Sequence, residues 1–278
     1  MQAIVVTAFF LFVTLSAAPV KKGKNLNDVE YFSDSVGEEG EYFEGDMLLT
    51  PKQHRAVHAA KMQRNGLLGG AKRWPERTVV YYIEEEDFDE DQIKMIEGGM
   101  ADIANKSCIK FVPRASDKEH AVIIQGSANG CFSNVGFTTP DEDDDGEVNQ
   151  VLNLAKGCFR HGTVVHEMLH TLGFYHMQST YDRDDYVKIV WENIKAGTEH
   201  NFAKYTNDTV TDFGVSYDYG SVMHYSDTAF SKNGNKTIIP LKDDAVIGQR
   251  NGLSESDILK LHRMYCEQSQ DVIVSHRS

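Results

Sequence analysis

The sequence predicts an α+β fold, and three observations carry that expectation. The 278 residues are 41% hydrophobic and 10% aromatic, so the chain can bury one large core or two small ones. From Trp74 onward, segments of strand and helix character follow in the order strand, helix, strand, strand, strand, helix. Charged residues make up 25%, an ordinary globular share that argues against wholesale disorder.

The elements can be justified in chain order. Ala3 to Ala18 is almost wholly apolar, carries no charge and ends in the small residues Ser16-Ala17-Ala18, with Lys21, Lys22 and Lys24 behind it. This is the pattern of a signal peptide, residues 1–18, and it predicts a secreted, extracellular protein. Residues 19–64 are polar, with acidic clusters at Glu38, Glu39 and Glu41 and a short helix expected from Lys52 to Gln63. Arg64-Asn65-Gly66 opens a Gly-rich stretch to Gly70, an exposed linker. We read 19–64 as a propeptide and 65–278 as the mature domain. Thr78–Ile83 is β-branched and aromatic, hence a strand. Asp89 caps a helix reaching Asn105, with Ile93, Ile96, Met100 and Ile103 on one face. Ile109–Val112, Ala121–Gln125 and Val151–Leu154 are further strands. Ser254-x-x-Asp257 resembles a capping box and opens a helix whose apolar face holds Ile258, Leu261 and Tyr265. Asp141 to Gly146 imitates the start of a calcium loop, but position 12 would be Leu152, where a bidentate Glu is required; the segment is an acidic surface loop.

Composition excludes several functions. Lys+Arg is 28 against Asp+Glu 42, a formal net charge of −14, which repels phosphate backbones and anionic lipid surfaces. Outside the N-terminus no apolar run approaches the roughly 18 residues of a membrane span. No nucleic-acid or membrane partner is expected. The four cysteines are Cys108, Cys131, Cys158 and Cys266; an even count in a secreted chain predicts two disulfides, with three connectivities open. Sequons at Asn105, Asn207 and Asn235 fit the same compartment as glycosylation candidates.

His166-Glu167-Met168-Leu169-His170 is the informative segment. On a helix, His166 and His170 lie one turn apart on one face, so both imidazoles reach a single ion. Zinc suits nitrogen ligands in tetrahedral array. Glu167 stands beside the first ligand, where a carboxylate can accept a proton from water. The short motif arises by chance in roughly 0.03 copies per chain of this kind; its continuation through Gly173 to His176 lowers that to about 10⁻⁴. Gly173 can end the helix at positive φ and turn the chain so that His176 faces the same ion. Three His ligands leave a fourth position open, the mark of a catalytic site.

His166 to His176, with Phe174 after the glycine, resembles the elongated zinc motif of the astacin family of metzincin metalloproteases. Asp182-Arg183-Asp184 follows at the family's distance, and Ser221-Val222-Met223-His224-Tyr225 resembles its Met-turn. The resemblance covers Arg64 to Cys266, in a minimal form without C-terminal accessory domains. It implies a zinc endopeptidase with two subdomains flanking a cleft: a mixed, partly parallel sheet with helices, then an irregular half, divided near Gly173. It implies an apolar floor from Met223, oxyanion and resting-metal contacts from Tyr225, and disulfides Cys108–Cys266 and Cys131–Cys158. Phe43-Glu44-Gly45-Asp46 resembles the inhibitory motif, with Asp46 on the zinc until a trypsin-like protease cuts at Arg64-Asn65. The intact Glu167 argues against a protein that has only kept the cleft for binding. Protein or peptide substrates and a monomer are expected. Two positions depart from the family: Met177 stands where Glu usually pairs with the mature N-terminus, and Thr180 where Arg is usual. In Ile247-Gly248-Gln249-Arg250, the likeness to astacin-family meprins implies that Arg250 lines the pocket for the residue after the scissile bond. The competing reading is a surface Arg pairing with Asp243, Asp244 or Glu255.

Overall fold

The computed structural model describes residues 36–60, 72–138, 149–205 and 211–267. The signal peptide, the Arg64-Asn65 linker, the acidic loop Asp141–Gly146 and the Asn207 sequon lie outside the described residues. The described residues belong to one compact unit, Phe32–Ser278.

The larger sheet contains β1 (Met47–Leu48), β2 (Thr78–Ile83), β3 (Lys110–Pro113), β4 (Val122–Gln125), β5 (Cys131–Asn134) and β6 (Gln150–Leu154), in the spatial order β1-β5-β6-β4-β2-β3. β5 runs antiparallel to β6, and every other neighbouring pair is parallel. The sequence reading omits β5 and β1. Met-Leu is too short and Cys-Phe-Ser-Asn too short and too polar to announce strands; pairing with β6, not propensity, makes β5 extended. The N-terminal segment then closes that edge, with the Ser133 N–H donating to the Asp46 carbonyl at 2.9 Å. It continues into α1 (Pro51–Ala60), which starts where Thr50 and Gln53 cap each other.

α2 (Glu90–Asn105) begins at the expected Asp89, whose carboxylate accepts from the Asp91 and Gln92 N–H groups while the Gln92 side chain accepts from Asp89. Ile96, Gly99, Met100 and Ile103 form its buried stripe; Ile93 sits at its half-exposed margin. α3 (His161–Thr171) is buried along Gly162 to Thr171. The two helices cross at Gly99, where an added Cβ would lie 2.8 Å from Val164 Cγ1. Only hydrogen at that position lets the backbones approach.

The second half is irregular. β7 (Val187–Ile189) and β8 (Ile238–Pro240) form a small antiparallel ladder. α4 (Glu255–Leu261), capped by Ser254 as expected, passes into a single π turn through Cys266. Cys108–Cys266 ties that end to the start of β3, and Cys131–Cys158 joins β5 to the approach to α3. The first crosslink spans 158 residues; closing so long a loop stabilises by about 2–5 kcal/mol. One core packs the sheet against α2 and α3, and another holds Met177, Ile189, Phe202, Tyr225 and Phe230. Val222, Met223, Leu261 and Tyr265, from the C-terminal part of the chain, return to the first core. No helix among the described residues is long and apolar enough to cross a membrane.

The crossing gives a paired test. Gly99→Leu should cost about 1–3 kcal/mol by overpacking, whereas Gly98→Ala, which meets nothing within 4 Å, should gain about 0.5–1 kcal/mol. Equal midpoints for the two variants in urea unfolding would refute the tight crossing.

Candidate metal centre

α3 carries His166 and His170 on one face, and its end sets the third histidine. Gly173 has φ 100°, its N–H bonds the His170 carbonyl at 2.8 Å, and the Phe174 N–H reaches Leu169 at 3.0 Å. A side chain at Gly173 would be strained in that left-handed turn. The carbonyls freed at the helix end are taken by indole and phenol donors. Trp74 Nε1 donates to Thr171 and the Tyr265 hydroxyl to Leu172, both at 2.8 Å. The reversed chain then brings His176 against the other two.

Each imidazole has its outer nitrogen engaged. His166 Nδ1 donates to the Val222 carbonyl at 2.8 Å, His170 Nδ1 to the Phe174 carbonyl at 2.8 Å, and His176 Nδ1 to Glu44 Oε2 at 2.9 Å. That fixes the tautomer and leaves three Nε2 lone pairs turned inward. His166 Nε2 lies 3.1 Å from His170 Nε2 and 3.3 Å from His176 Nε2. Asp46 Oδ2 is 3.1 Å from His166 Nε2 and 3.2 Å from His176 Nε2, and Oδ1 is 3.4 Å from His170 Nε2. All four side chains are buried. Lone pairs so crowded repel unless a cation lies between them. These distances lie close to the edges of about 3.3–3.4 Å in a tetrahedron with bonds of about 2.0–2.1 Å and the Asp46 carboxylate at the fourth corner, the geometry of zinc with nitrogen and oxygen donors. The donor set fits one zinc ion.

The charges around it act on one another at contact distance. Burial alone would raise Asp46, but the His176 and His170 imidazoles hold it well below the usual carboxylate range. Burial lowers His170 to about 4, against the pull of Asp46. Without a cation among the ligands, burial also lowers His176, yet Asp46 and Glu44 overcome it and lift the ring to about 9; a bound zinc would take the place of that proton. Glu167 is buried and neither carboxylate oxygen has a hydrogen-bond partner. Burial and the Asp46 and Glu38 charges push its carboxyl well above the ordinary range, against Arg250.

Tyr225 donates its hydroxyl to the Glu44 carbonyl and packs its ring 4.6 Å from that of His176. Burial and the Glu44 charge raise its pKa. The Tyr225 N–H donates to Gln178 Oε1 at 3.0 Å. Met223 is buried in the same core as Val165 and Leu169 of α3, and its carbonyl accepts from the Met177 N–H at 3.0 Å.

Arg250 pairs with none of Asp243, Asp244 or Glu255. It is 7% exposed and grips Glu38, which is 3% exposed. Arg250 Nε donates to both Glu38 oxygens at 2.8 and 3.1 Å, a second guanidinium nitrogen donates to Oε2, and Nη1 donates to the His224 carbonyl at 3.1 Å. The surface reading therefore fails: the guanidinium lies beneath the N-terminal segment. Burial would raise Glu38, but Arg250 holds it below its usual range.

Of the departures from the family pattern, Met177 is buried and its sulfur accepts from Lys260 Nζ at 3.1 Å. Thr180 is half-buried and caps the Met177 carbonyl at 3.0 Å. Asn105 and Asn235 are exposed. The sequence reading missed Glu38, Gln178 and Asp257 as parts of this region and quoted Glu44 within the inhibitory motif without giving it a contact. Glu38 looks like a solvated acid in a polar stretch, and Asp257 like a helix cap alone. An unusual density of acids around the Phe43–Asp46 match is the signal that bears on Glu38 and Glu44.

Three tautomer-locked histidines, a partnerless buried carboxylate beside them and a phenol over the third ring define a mononuclear zinc-hydrolase site of the metzincin class. The sequence profile of the Astacin peptidase family matches residues 68–266, so the chain belongs to the astacin family. The chain is 40% identical to Seminal metalloprotease 1 of Drosophila melanogaster over 207 residues, 73% of this chain and 81% of that protein. It is 35% identical to Zinc metalloproteinase nas-13 of Caenorhabditis elegans over 250 residues, 86% of this chain but 53% of that protein. The chain thus spans about half the length of nas-13. High choriolytic enzyme 1, a hatching-enzyme zinc protease of Oryzias latipes, is 34% identical with a TM-score of 0.60, over 70% of this chain and 93% of that one.

Proposed function

We propose that this chain is a secreted zinc endopeptidase made in a latent form, with residues 1–18 as signal peptide, 19–64 as propeptide and 65–278 as catalytic domain. The observation that carries the reading is that the cleft already holds an extended peptide: β1 pairs with β5 while Asp46 sits among the three histidines. A sheet edge that accepts one backbone strand can accept another, so unfolded or looped peptide is the substrate class that fits. The two disulfides and the exposed sequons Asn105 and Asn235 suit an oxidising, extracellular setting.

Zinc, when bound by His166, His170 and His176, supplies a Lewis acid that brings the pKa of water down to about 7. Glu167 accepts the proton of the attacking water and delivers it to the departing amine. Its lack of any protein partner leaves both oxygens free for that transfer. Tyr225, released from the Glu44 carbonyl, donates its hydroxyl to the carbonyl oxygen as negative charge grows there. Met223 supports the histidines from below.

Latency rests on three carboxylates of the N-terminal segment. Asp46 fills the position a water needs, Glu44 engages His176 Nδ1, and Glu38 neutralises Arg250. Cleavage at Arg64-Asn65 by a trypsin-like protease would remove all three together and leave a monomeric enzyme. Arg250 then faces the cleft without its partner and selects Asp or Glu just after the scissile bond, as its grip on Glu38 suggests.

Glu167→Ala should retain zinc by metal analysis and lose about 10²–10⁴-fold in peptide turnover; activity within tenfold of the parent would remove Glu167 from the proton transfer. The intact Asp46→Ala chain should cleave peptide slowly without processing, and complete silence in that assay would mean that the carboxylate is not what blocks the site. In a peptide library, the processed enzyme should favour acids immediately after the cut and Arg250→Ala should abolish that preference. A preference that survives the substitution would place the selecting charge elsewhere.

A further inference from the structure

Asp257 occupies the first turn of α4, where its N–H donates to Ser254 Oγ at 3.0 Å and its Oδ2 accepts the Ser254 N–H at 3.0 Å. A capping carboxylate on a surface helix keeps its other lone pairs in water. This one is 4% exposed and turns them into the protein. Oδ2 also accepts the Val222 N–H at 2.9 Å, and Oδ1 accepts the Ser221 hydroxyl at 2.6 Å. Ser221 Oγ in turn accepts the Met223 N–H at 3.1 Å. Three successive residues of the turn under the histidines therefore hang from one carboxylate.

The geometry of the peptide unit gives this a consequence. The Met223 N–H and the Val222 carbonyl belong to the same rigid plane, so fixing one aims the other. That carbonyl accepts the Nδ1–H of His166 at 2.8 Å. We propose that Asp257 is a positioning residue for the metal: through Ser221 it sets the tilt of the Val222–Met223 peptide plane, and that plane sets the tautomer and direction of His166. The ligand is thus held by a chain of bonds from the C-terminal helix, in series with the contact from His166 to the metal. Partners one shell beyond a histidine ligand affect metal retention by about 10–100-fold when removed. The inference rests on the zinc site described above, and it makes the C-terminal helix part of that site.

A helix cap and a metal support can be separated, because the Ser254 hydroxyl bonds the Asp257 N–H and the Asp218 carboxylate but none of Ser221, Val222 or Met223. Asp218 meets that turn through its own carbonyl, which accepts the Ser221 N–H at 3.3 Å, and that bond stays when the Ser254 hydroxyl is removed. The test uses the full chain loaded with Co²⁺, whose visible absorption reports the ligand field, and follows its loss to a competing chelator. Asp257→Ala and Ser221→Ala should release Co²⁺ about 10–100-fold more readily with a shifted spectrum. The double variant should be no worse than Asp257→Ala alone, since both act through one path. Asp257→Asn keeps the shape and an acceptor oxygen, and should restore most of the retention. Ser254→Ala should lower the unfolding temperature while leaving release and spectrum as in the parent. If Asp257→Ala does not fold, Ser221→Ala and Asp257→Asn still decide the matter. Parental release and spectrum in Ser221→Ala would overturn the proposal, as would equal loosening by Ser254→Ala. Failure of the parent chain to take up Co²⁺ would instead overturn the metal site itself.

Discussion

Three imidazole nitrogens and the two oxygens of one carboxylate face one another at 3.1–3.4 Å in a buried pocket, and the repulsion among their lone pairs is the constraint on which the rest depends. Uncompensated, it would open the pocket; a single cation turns it into attraction. The surrounding chain acts to keep those atoms aimed inward. Two backbone carbonyls and one carboxylate hold the outer nitrogens, so no imidazole can rotate its proton toward the centre. α3 supplies two of the rings on rigid backbone, and the left-handed turn at Gly173 delivers the third.

Those holding groups come from distant parts of the sequence. The carbonyl for His166 lies in the turn at Val222, itself tethered to α4, and the carboxylate for His176 comes from Glu44. The first disulfide fixes the end beyond α4 to the sheet half. The C-terminal segments that return to the first core are therefore more than packing material: they brace the floor of the site. The N-terminal segment is bound by the same logic. It adds a strand to the sheet edge and brings carboxylates to the cationic and metal-binding groups, so backbone pairing fixes its register and charge fixes its side chains.

The sequence alone determined the elements whose information is local. The 3.6-residue spacing of Ile96, Met100 and Ile103 places α2, the capping residues Asp89 and Ser254 set the starts of α2 and α4, and β-branched runs mark β2 and β4. The spacing of His166, His170, Gly173 and His176 likewise specifies a metal site, because a helical turn and one glycine suffice to bring those rings together. What only the tertiary structure decided depends on partners far apart in the chain. β5 and β1 are strands because neighbours pair with them, and no propensity in Cys-Phe-Ser-Asn or Met-Leu announces that. Arg250 reads equally well as a surface residue until Glu38, 212 positions away, is found covering it. Asp257 reads as a helix cap until its remaining lone pairs are seen to hold the turn at Ser221 and Val222. A single sequence records residue types and short spacings; the burial that converts an acid from a solvated charge into a structural or inhibitory contact arises only when the chain has folded around it.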